Sequence, residues 1–331
     1  MYFLDDDQWQ RIDEYAERLK RRIVGVVRRA IDRLGPAEVA FGCGRATFAV
    51  NRRNNPERDV PRLREQGLLK GPVDHDVPVL AVRKNGRLRA VVFGYACHAT
   101  VLSLMQWSGD YPGFAQMELD RAHPGAIALF WAGCGGDQNP LPRRTVELAQ
   151  KYGRELAQAV DVSLKGSMQP LDGELRSIYE EIDLAFAELP TREQLQKDSQ
   201  SQNRYIARRA QLLLERIDRA GRLSPTYPYP VQTWRLGSKV LMVILGGEVV
   251  VDYSLRLKHE LGPGPVWVAG YANDVMAYIP SLRVLREGGY EGERSMIYYG
   301  QPTVWSEHVE EHIIRTVHRQ AERLGFAAGV R

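Results

Sequence analysis

The stretch GYANDVMAYIPSLRVLREGGYEG, residues 270–292, is the part of the chain on which the fold prediction depends. It follows a short apolar run, VWVAG, which is typical of a buried strand. Gly, Asn and Pro recur along it, and this composition predicts a loop at the end of that strand. Two tyrosines, Tyr278 and Tyr290, lie among these turn-forming residues. They are either partly buried anchors of the loop or members of a functional site.

The overall composition is that of a globular protein with a substantial core. The 331 residues are 44% hydrophobic and 26% charged, with a formal net charge of +4. An excess of basic residues this small and this evenly spread argues against a nucleic-acid partner. Three cysteines without a CxxC pair predict neither a disulfide framework nor a zinc knuckle. No apolar run reaches the length of a membrane span, and no signal peptide is visible at the start, so we expect a cytoplasmic chain by default.

The periodicity along the chain alternates between helical and strand patterns. Residues 6–34 have apolar side chains at helical spacing and predict one long amphipathic helix. Two alternating runs flank Asn85-Gly86 and two more flank Gly237-Ser238, and each pair predicts a β-hairpin. Further helices are predicted at 145–164, 191–220, 249–260 and 306–324. We therefore expect an α/β fold in which mixed β-sheets pack together and are flanked by outer helices.

Polar side chains stand where four apolar strands end. His98, Asp137 and Glu248 follow three of them, and the fourth leads into the loop that carries Tyr278. Polar groups gathered at strand ends are typical of a site at the rim of an α/β sheet. Imidazole and carboxylate suit zinc, and phenolate is a rarer ligand. Taken singly, His98 is equally a core histidine and Glu248 a helix cap, but together the three predict a metal site.

Five segments resemble the catalytic domain of the neutral/alkaline, non-lysosomal ceramidase family. They are NRRNNP (51–56), VFGYACHAT (92–100), GCGGDQNP (133–140), RLGSKVLMVILGGE (235–248), and YANDVMAYIP through GGYEG (271–292). The resemblance implies two central sheets, a single Zn²⁺ and the hydrolysis of an amide bond. It also implies that His98, Glu248 and Tyr278 are zinc ligands. The substrate it implies is a small-molecule or lipid amide, such as an N-acyl sphingoid base.

Four further residues are candidates for catalysis. Tyr290 is similar to the family tyrosine that polarises the amide carbonyl, and Arg52 lies where the family has an active-site arginine. Asp137 is a candidate base, or a residue that orients other groups, and Asn139 a candidate donor to substrate.

Two features depart from the family pattern. The family has a His-Thr-His motif upstream of the matching segments and a serine in the loop at 133–140, and this sequence has neither. No C-terminal immunoglobulin-like domain is expected. We therefore expect residues 1–331 to form a single ceramidase-like catalytic domain, truncated at the N-terminus. The alternative is a degenerate or truncated hydrolase fold that acts as a non-catalytic binding domain.

The last predicted helix contains a second candidate metal motif. His308 and His312 match the HxxEH pattern of inverted zinc proteases and share one face of the helix. However, Val309, Ile313 and Val317 define the stripe expected to be buried, and the histidines only flank it. A chance match on a charged surface helix is the favoured interpretation.

Overall fold

The structure is a computed structural model that describes residues 3–262 and 264–326. The described residues form ten α-helices and thirteen β-strands. The helices are α1 (Asp6–Ile31), α2 (Val60–Glu65), α3 (Asp110–Ala122), α4 (Val146–Lys165), α5 (Arg192–Asp198), α6 (Arg204–Ala220), α7 (Val251–Glu260), α8 (Leu282–Glu287), α9 (Met296–Tyr299) and α10 (Val309–Arg323). The strands are β1 (Glu38–Arg45), β2 (Ala49–Asn51), β3 (Asp76–Lys84), β4 (Arg87–Tyr95), β5 (Ile127–Ala132), β6 (Gln138–Pro140), β7 (Gln169–Pro170), β8 (Leu175–Ala185), β9 (Thr226–Leu236), β10 (Val240–Leu245), β11 (Glu248–Val249), β12 (Val266–Ala269) and β13 (Tyr278–Ile279).

Two mixed sheets form the centre of the fold. One has five strands in the order β5-β4-β3-β1-β7, and the other has four in the order β12-β10-β9-β8. Each sheet is antiparallel except for one parallel pair, β4 with β5 and β10 with β12. The hairpin between β3 and β4 turns at Asn85 and Gly86, which both have positive φ, as the predicted two-residue turn requires. The expected α/β class with mixed sheets is confirmed.

The two sheets pack face to face through a small aromatic core. Met242 and Trp267 of the four-stranded sheet lie in one buried cluster with Phe41 of the five-stranded sheet. The sheets approach closely at Gly94, where an added Cβ would lie 2.9 Å from the Trp267 ring. A larger residue at this position would therefore push the sheets apart.

Helices cover the outer faces of both sheets. The five-stranded sheet buries side chains such as Phe93 against Leu119 of α3 and Leu156 of α4. The four-stranded sheet buries residues such as Val243 against Tyr253 of α7. The result is a helix–sheet–sheet–helix arrangement, which agrees with the predicted outer helices.

One predicted helix is divided in two in the structure, and another forms as predicted but remains exposed. Residues 191–220 form two helices, because Asn203 accepts from the backbone N–H groups of Tyr205 and Ile206 and so caps a new start at α6. α1 is helical as predicted, with a capping box formed by Asp5 and Gln8, but none of its residues is buried. No helix in the described part of the chain is both long and apolar enough to cross a lipid bilayer.

Candidate functional site

A pair of two-residue strands places two of the predicted ligands side by side. β11 and β13 pair in parallel, and Glu248 is directly opposite Tyr278. His98 follows β4, and its backbone N–H donates to the carbonyl of Gln138 at 3.0 Å. The hydrogen-bonded backbone of three separate segments therefore fixes where these side chains start.

The side chains of Glu248 and Tyr278 both approach the same nitrogen atom of His98. His98 Nε2 lies 3.6 Å from Glu248 Oε2 and 3.4 Å from the Tyr278 hydroxyl. Donor atoms bound to a tetrahedral zinc at about 2.0–2.2 Å lie about 3.3–3.6 Å from one another. The two distances from His98 Nε2 lie at the edge of and within that range.

His98 is half-buried and neutral. Burial, with a contribution from the positive charge of Arg52, lowers the pKa of His98 to about 3. Its Nε2 lies 3.0 Å from the carbonyl of Gly136, which can only accept, so this contact needs the proton on Nε2. The Tyr271 hydroxyl is 3.3 Å from Nδ1 on the other side of the ring. Metal binding at Nε2 would move the proton to Nδ1, where the Tyr271 oxygen is placed to accept it.

The carboxylate of Glu248 accepts a hydrogen bond from a further tyrosine, Tyr299. The Tyr299 hydroxyl donates to Glu248 Oε1, which leaves Oε2 directed toward His98. Burial raises the pKa of Tyr299 above its usual value, and the neighbouring carboxylate raises it further. The pKa of Tyr278 is also raised, first by burial, although Arg52 opposes the shift. Both phenols are therefore protonated donors at neutral pH without a bound cation.

Arg52 contacts the cluster formed by His98, Glu248 and Tyr278 and also lines a neighbouring pocket. Its guanidinium donates to the Tyr278 hydroxyl at 3.2 Å, to Asn139 Oδ1 at 3.4 Å and to Glu291 Oε1 at 2.7 Å. It also lies over the rings of Tyr278 and Tyr290, at 5.6 Å from each centroid. Contacts on this many sides fix the guanidinium in one orientation.

The pocket has a volume of about 640 Å³ and a mainly charged wall. Arg52, Asn139 and Tyr290 line it, together with further arginines and glutamates. His98, Glu248 and Tyr278 do not contribute to the wall, but Arg52 and Tyr290 line it and also contact Tyr278. Tyr290 is 39% exposed, and burial of the remainder raises its pKa.

Asp137 lies behind the site, where it is fully buried. Its Oδ1 accepts from the backbone N–H of Val251 at the start of α7, and its Oδ2 accepts from Asn51 Nδ2, at 2.8 and 2.9 Å. Burial raises its pKa to about 6. Its carboxylate joins β2 to the N-terminus of α7 and is absent from the pocket wall. The geometry therefore favours a positioning role over that of a base.

Three residues that hydrogen-bond to the predicted site residues were not identified from the sequence. Tyr271 and Glu291 lie inside the stretch at 270–292, where the loop composition pointed to function without distinguishing individual residues. Tyr299 has no such signal, because it reaches Glu248 across 51 residues of chain and stands on a helix of four residues.

Within the described residues, no group of three or more His, Cys, Asp and Glu side chains is arranged to hold a metal ion. Two such residues, His98 and Glu248, lie near each other, and the third predicted ligand is a tyrosine, Tyr278. The histidines of the HxxEH pattern, His308 and His312, are exposed, and Glu311 pairs with Arg256. The pattern on α10 therefore forms no metal-holding group in the described chain.

Comparison with known proteins gives a likeness in structure alone. A scan against protein-family models finds no match, and a search of the curated proteins finds none either. Among solved structures, a neutral ceramidase from Pseudomonas aeruginosa matches with a TM-score of 0.66 and 18% identity, over 93% of this chain and 55% of that one. A ceramidase complexed with C2 matches with a TM-score of 0.65 and 15% identity, over 92% of this chain and 56% of that one.

These matches confirm the sequence-based resemblance at the level of the fold. The chain has the fold of part of the neutral ceramidases, and it spans a little over half the length of those two proteins.

Proposed function

We propose that this chain carries a metal-dependent hydrolase site that cleaves a linear amide, such as an N-acyl sphingoid base or a related lipid amide. The observation that carries the proposal is the convergence of His98, Glu248 and Tyr278 from three distant parts of the chain. Support also comes from the fold, since both similar structures are ceramidases by name.

Zn²⁺ is the ion that fits the donor set. One imidazole nitrogen and two oxygens suit zinc better than the larger, oxygen-preferring Ca²⁺. When bound, zinc lowers the pKa of water from about 15.7 to about 7 and polarises a carbonyl oxygen. Tyr271 would hold the His98 ring through Nδ1, and Tyr299 would hold the Glu248 carboxylate through Oε1.

The groups between the cluster and the pocket are suited to stabilise negative charge. Tyr290 is a protonated donor at neutral pH, because burial raises its pKa. The Arg52 guanidinium is oriented by Glu291 and presents one edge toward Tyr278. A carbonyl oxygen that enters between Arg52 and Tyr290 would meet two donors as it gains charge.

The two parts of a lipid amide would find different surroundings. The charged wall of the pocket suits a polar head group, which is able to replace the water there. A line of tyrosine rings leads away from the site, with centroids 5.5 Å apart from Tyr278 to Tyr290, 6.3 Å from there to Tyr298 and 5.1 Å from Tyr298 to Tyr205. These rings offer an apolar path along which an acyl chain could lie.

Hydrolysis of N-acyl amides, measured by release of the free amine, tests the proposal. Activity should require Zn²⁺, be lost with a chelator, and fall by at least about 100-fold in His98→Ala and Glu248→Gln. His123→Ala is the matched control, because His123 is another half-buried histidine that pairs with a carboxylate, Asp161, at 2.6 Å. Equal activity in His98→Ala and His123→Ala would remove the proposal.

A non-catalytic binding domain is the second candidate. It is favoured by the absence of a third His, Cys, Asp or Glu from the cluster in the described chain. This candidate predicts that a non-hydrolysed amide binds the pocket without Zn²⁺ and that His98→Ala leaves its affinity unchanged. Zinc-dependent affinity for the same amide would exclude it.

A further inference from the structure

The longest helix among the described residues is α1, and its apolar face is largely exposed. None of its 26 residues is buried within the described structure. A helix of this length would extend for about 39 Å. Its large apolar side chains are between 40% and 60% exposed, and these are Trp9, Ile12, Tyr15, Leu19, Ile23, Val24, Val26, Val27 and Ile31. A continuous apolar stripe of this length on a helix surface marks an interaction surface.

The stripe has the spacing of a helix-pairing seam. Its central residues alternate in steps of three and four along the helix, and they are Trp9, Ile12, Ala16, Leu19, Ile23 and Val26. Such alternation keeps one narrow face turned toward a second helix over several turns. A partner helix of about the same length therefore fits α1 better than a flat surface does.

The charges of α1 identify that partner. Residues 5–17 contain six acidic side chains and one basic, whereas residues 18–33 contain seven basic and one acidic. The sign changes between Glu17 and Arg18, near the midpoint of the helix. Two copies that pair antiparallel place each acidic half against a basic half, whereas parallel pairing places like charges together.

The positions of the apolar seam residues also favour antiparallel pairing, independently of the charges. An antiparallel register that aligns Ile12 with Ile23 also aligns Trp9 with Val26 and Ala16 with Leu19. The centre of this register falls between positions 17 and 18, where the charge changes sign. We propose that α1 is a self-association helix, which pairs antiparallel with α1 of a second copy in a two-fold symmetric dimer.

A membrane surface suits this helix less well. Interfacial helices carry basic residues along their whole polar face, and the acidic first half of α1 would be repelled by anionic lipid. The surface beside the seam is also apolar. Trp107 is 91% exposed and stacks on Tyr15 at 5.8 Å, which adds apolar area next to the helix.

Sedimentation velocity of the full chain, over a concentration series, tests the pairing. Wild type should sediment as a dimer at micromolar concentration. Ile23→Glu should raise the dissociation constant by about 100-fold or more, because each dimer carries the change twice. Val24→Glu is the matched control, since Val24 is exposed to the same extent, 56% against 55%, but lies off the seam. Its dissociation constant should stay within about threefold of the wild-type value.

A charge exchange tests the orientation. In the antiparallel register Asp13 and Lys20 flank the seam on the same side, so Asp13→Lys and Lys20→Asp should each weaken the dimer and the double variant should restore it. A monomeric wild type, equal effects of Ile23→Glu and Val24→Glu, or no restoration in the double variant would each overturn the proposal. A monomer that binds phosphatidylserine vesicles through the stripe would also overturn it and would assign the surface to lipid.

Discussion

Glu291 is the buried anion on which the arginines of the site depend. Its side chain is 3% exposed, and it accepts from Arg52 at 2.7 Å and from Arg53 at 2.5 Å. Burial alone would raise the pKa of Glu291, but the two guanidinium groups outweigh this effect and the pKa is lowered. Glu291→Gln keeps the shape of the side chain and removes its charge, which leaves two partly buried cations without their shared partner.

The loss of stability in Glu291→Gln depends on which contacts Arg52 and Arg53 keep. Loss of one partner from a buried ion pair costs about 3–5 kcal/mol in general. Arg53 keeps Glu287 at 3.1 Å, and Arg52 keeps its donation to Tyr278. We therefore expect Glu291→Gln to lower the free energy of unfolding by about 3 kcal/mol, the lower end of that range.

Urea denaturation followed by circular dichroism measures this change. Glu287→Gln is the control, because Glu287 also pairs with Arg53 but is 41% exposed, and its removal should cost less than about 1 kcal/mol. The double variant Arg52→Met/Glu291→Gln should be less destabilised than the sum of its single variants, since it also removes one of the two arginines that Glu291→Gln leaves without this partner. Equal destabilisation by Glu291→Gln and Glu287→Gln would refute the view that Glu291 organises this site.

Three further predictions follow from the same contacts. Tyr299→Phe should weaken Zn²⁺ binding by about 10- to 100-fold in calorimetric titration, because Glu248 loses the hydrogen bond that orients its carboxylate. An unchanged affinity for Zn²⁺ would contradict this prediction. Because the pKa of His98 is about 3 in the folded chain and about 6.5 when unfolded, its contribution to stability is complete above pH 6.5 and is lost as the pH falls toward 3. His98→Asn should flatten the wild-type loss of stability across that interval, as measured by urea denaturation at several pH values. Asp137→Asn should lower the free energy of unfolding by about 2–3 kcal/mol, because an amide cannot accept from both N–H donors, and a change below about 0.5 kcal/mol would argue against this role.

Features set by local chemistry were predictable from the sequence. Asn85 and Gly86 adopt the positive φ angles that their hairpin requires, whatever the rest of the chain does. The break before α6 also has a local cause, the capping of the helix by Asn203, but it was missed because the apolar spacing continues across it. The exposure of α1 was not predictable, because periodicity shows which face is apolar and not whether anything covers it.

The residues of the candidate site also fall into those that the sequence could predict and those that it could not. His98, Glu248 and Tyr278 stand at strand ends, which the apolar runs of the sequence show without knowledge of their partners. The structure brings Glu248 and Tyr278 within 3.6 Å of His98. The residues that hydrogen-bond to the site residues, and so orient them, are brought there by contacts between distant segments. Tyr299 and Glu291 could be recognised only once the packing of α9 and the π-helical turn at Tyr290–Arg294 was known.

The position of a bound ion tests the central claim most directly. Crystals of the chain grown with Zn²⁺ should be measured at the zinc absorption edge, so that anomalous scattering locates the metal. The account predicts one peak about 2.0–2.2 Å from His98 Nε2, Glu248 Oε2 and the Tyr278 oxygen. A peak elsewhere on the chain, or none at this point with zinc in excess, would contradict it.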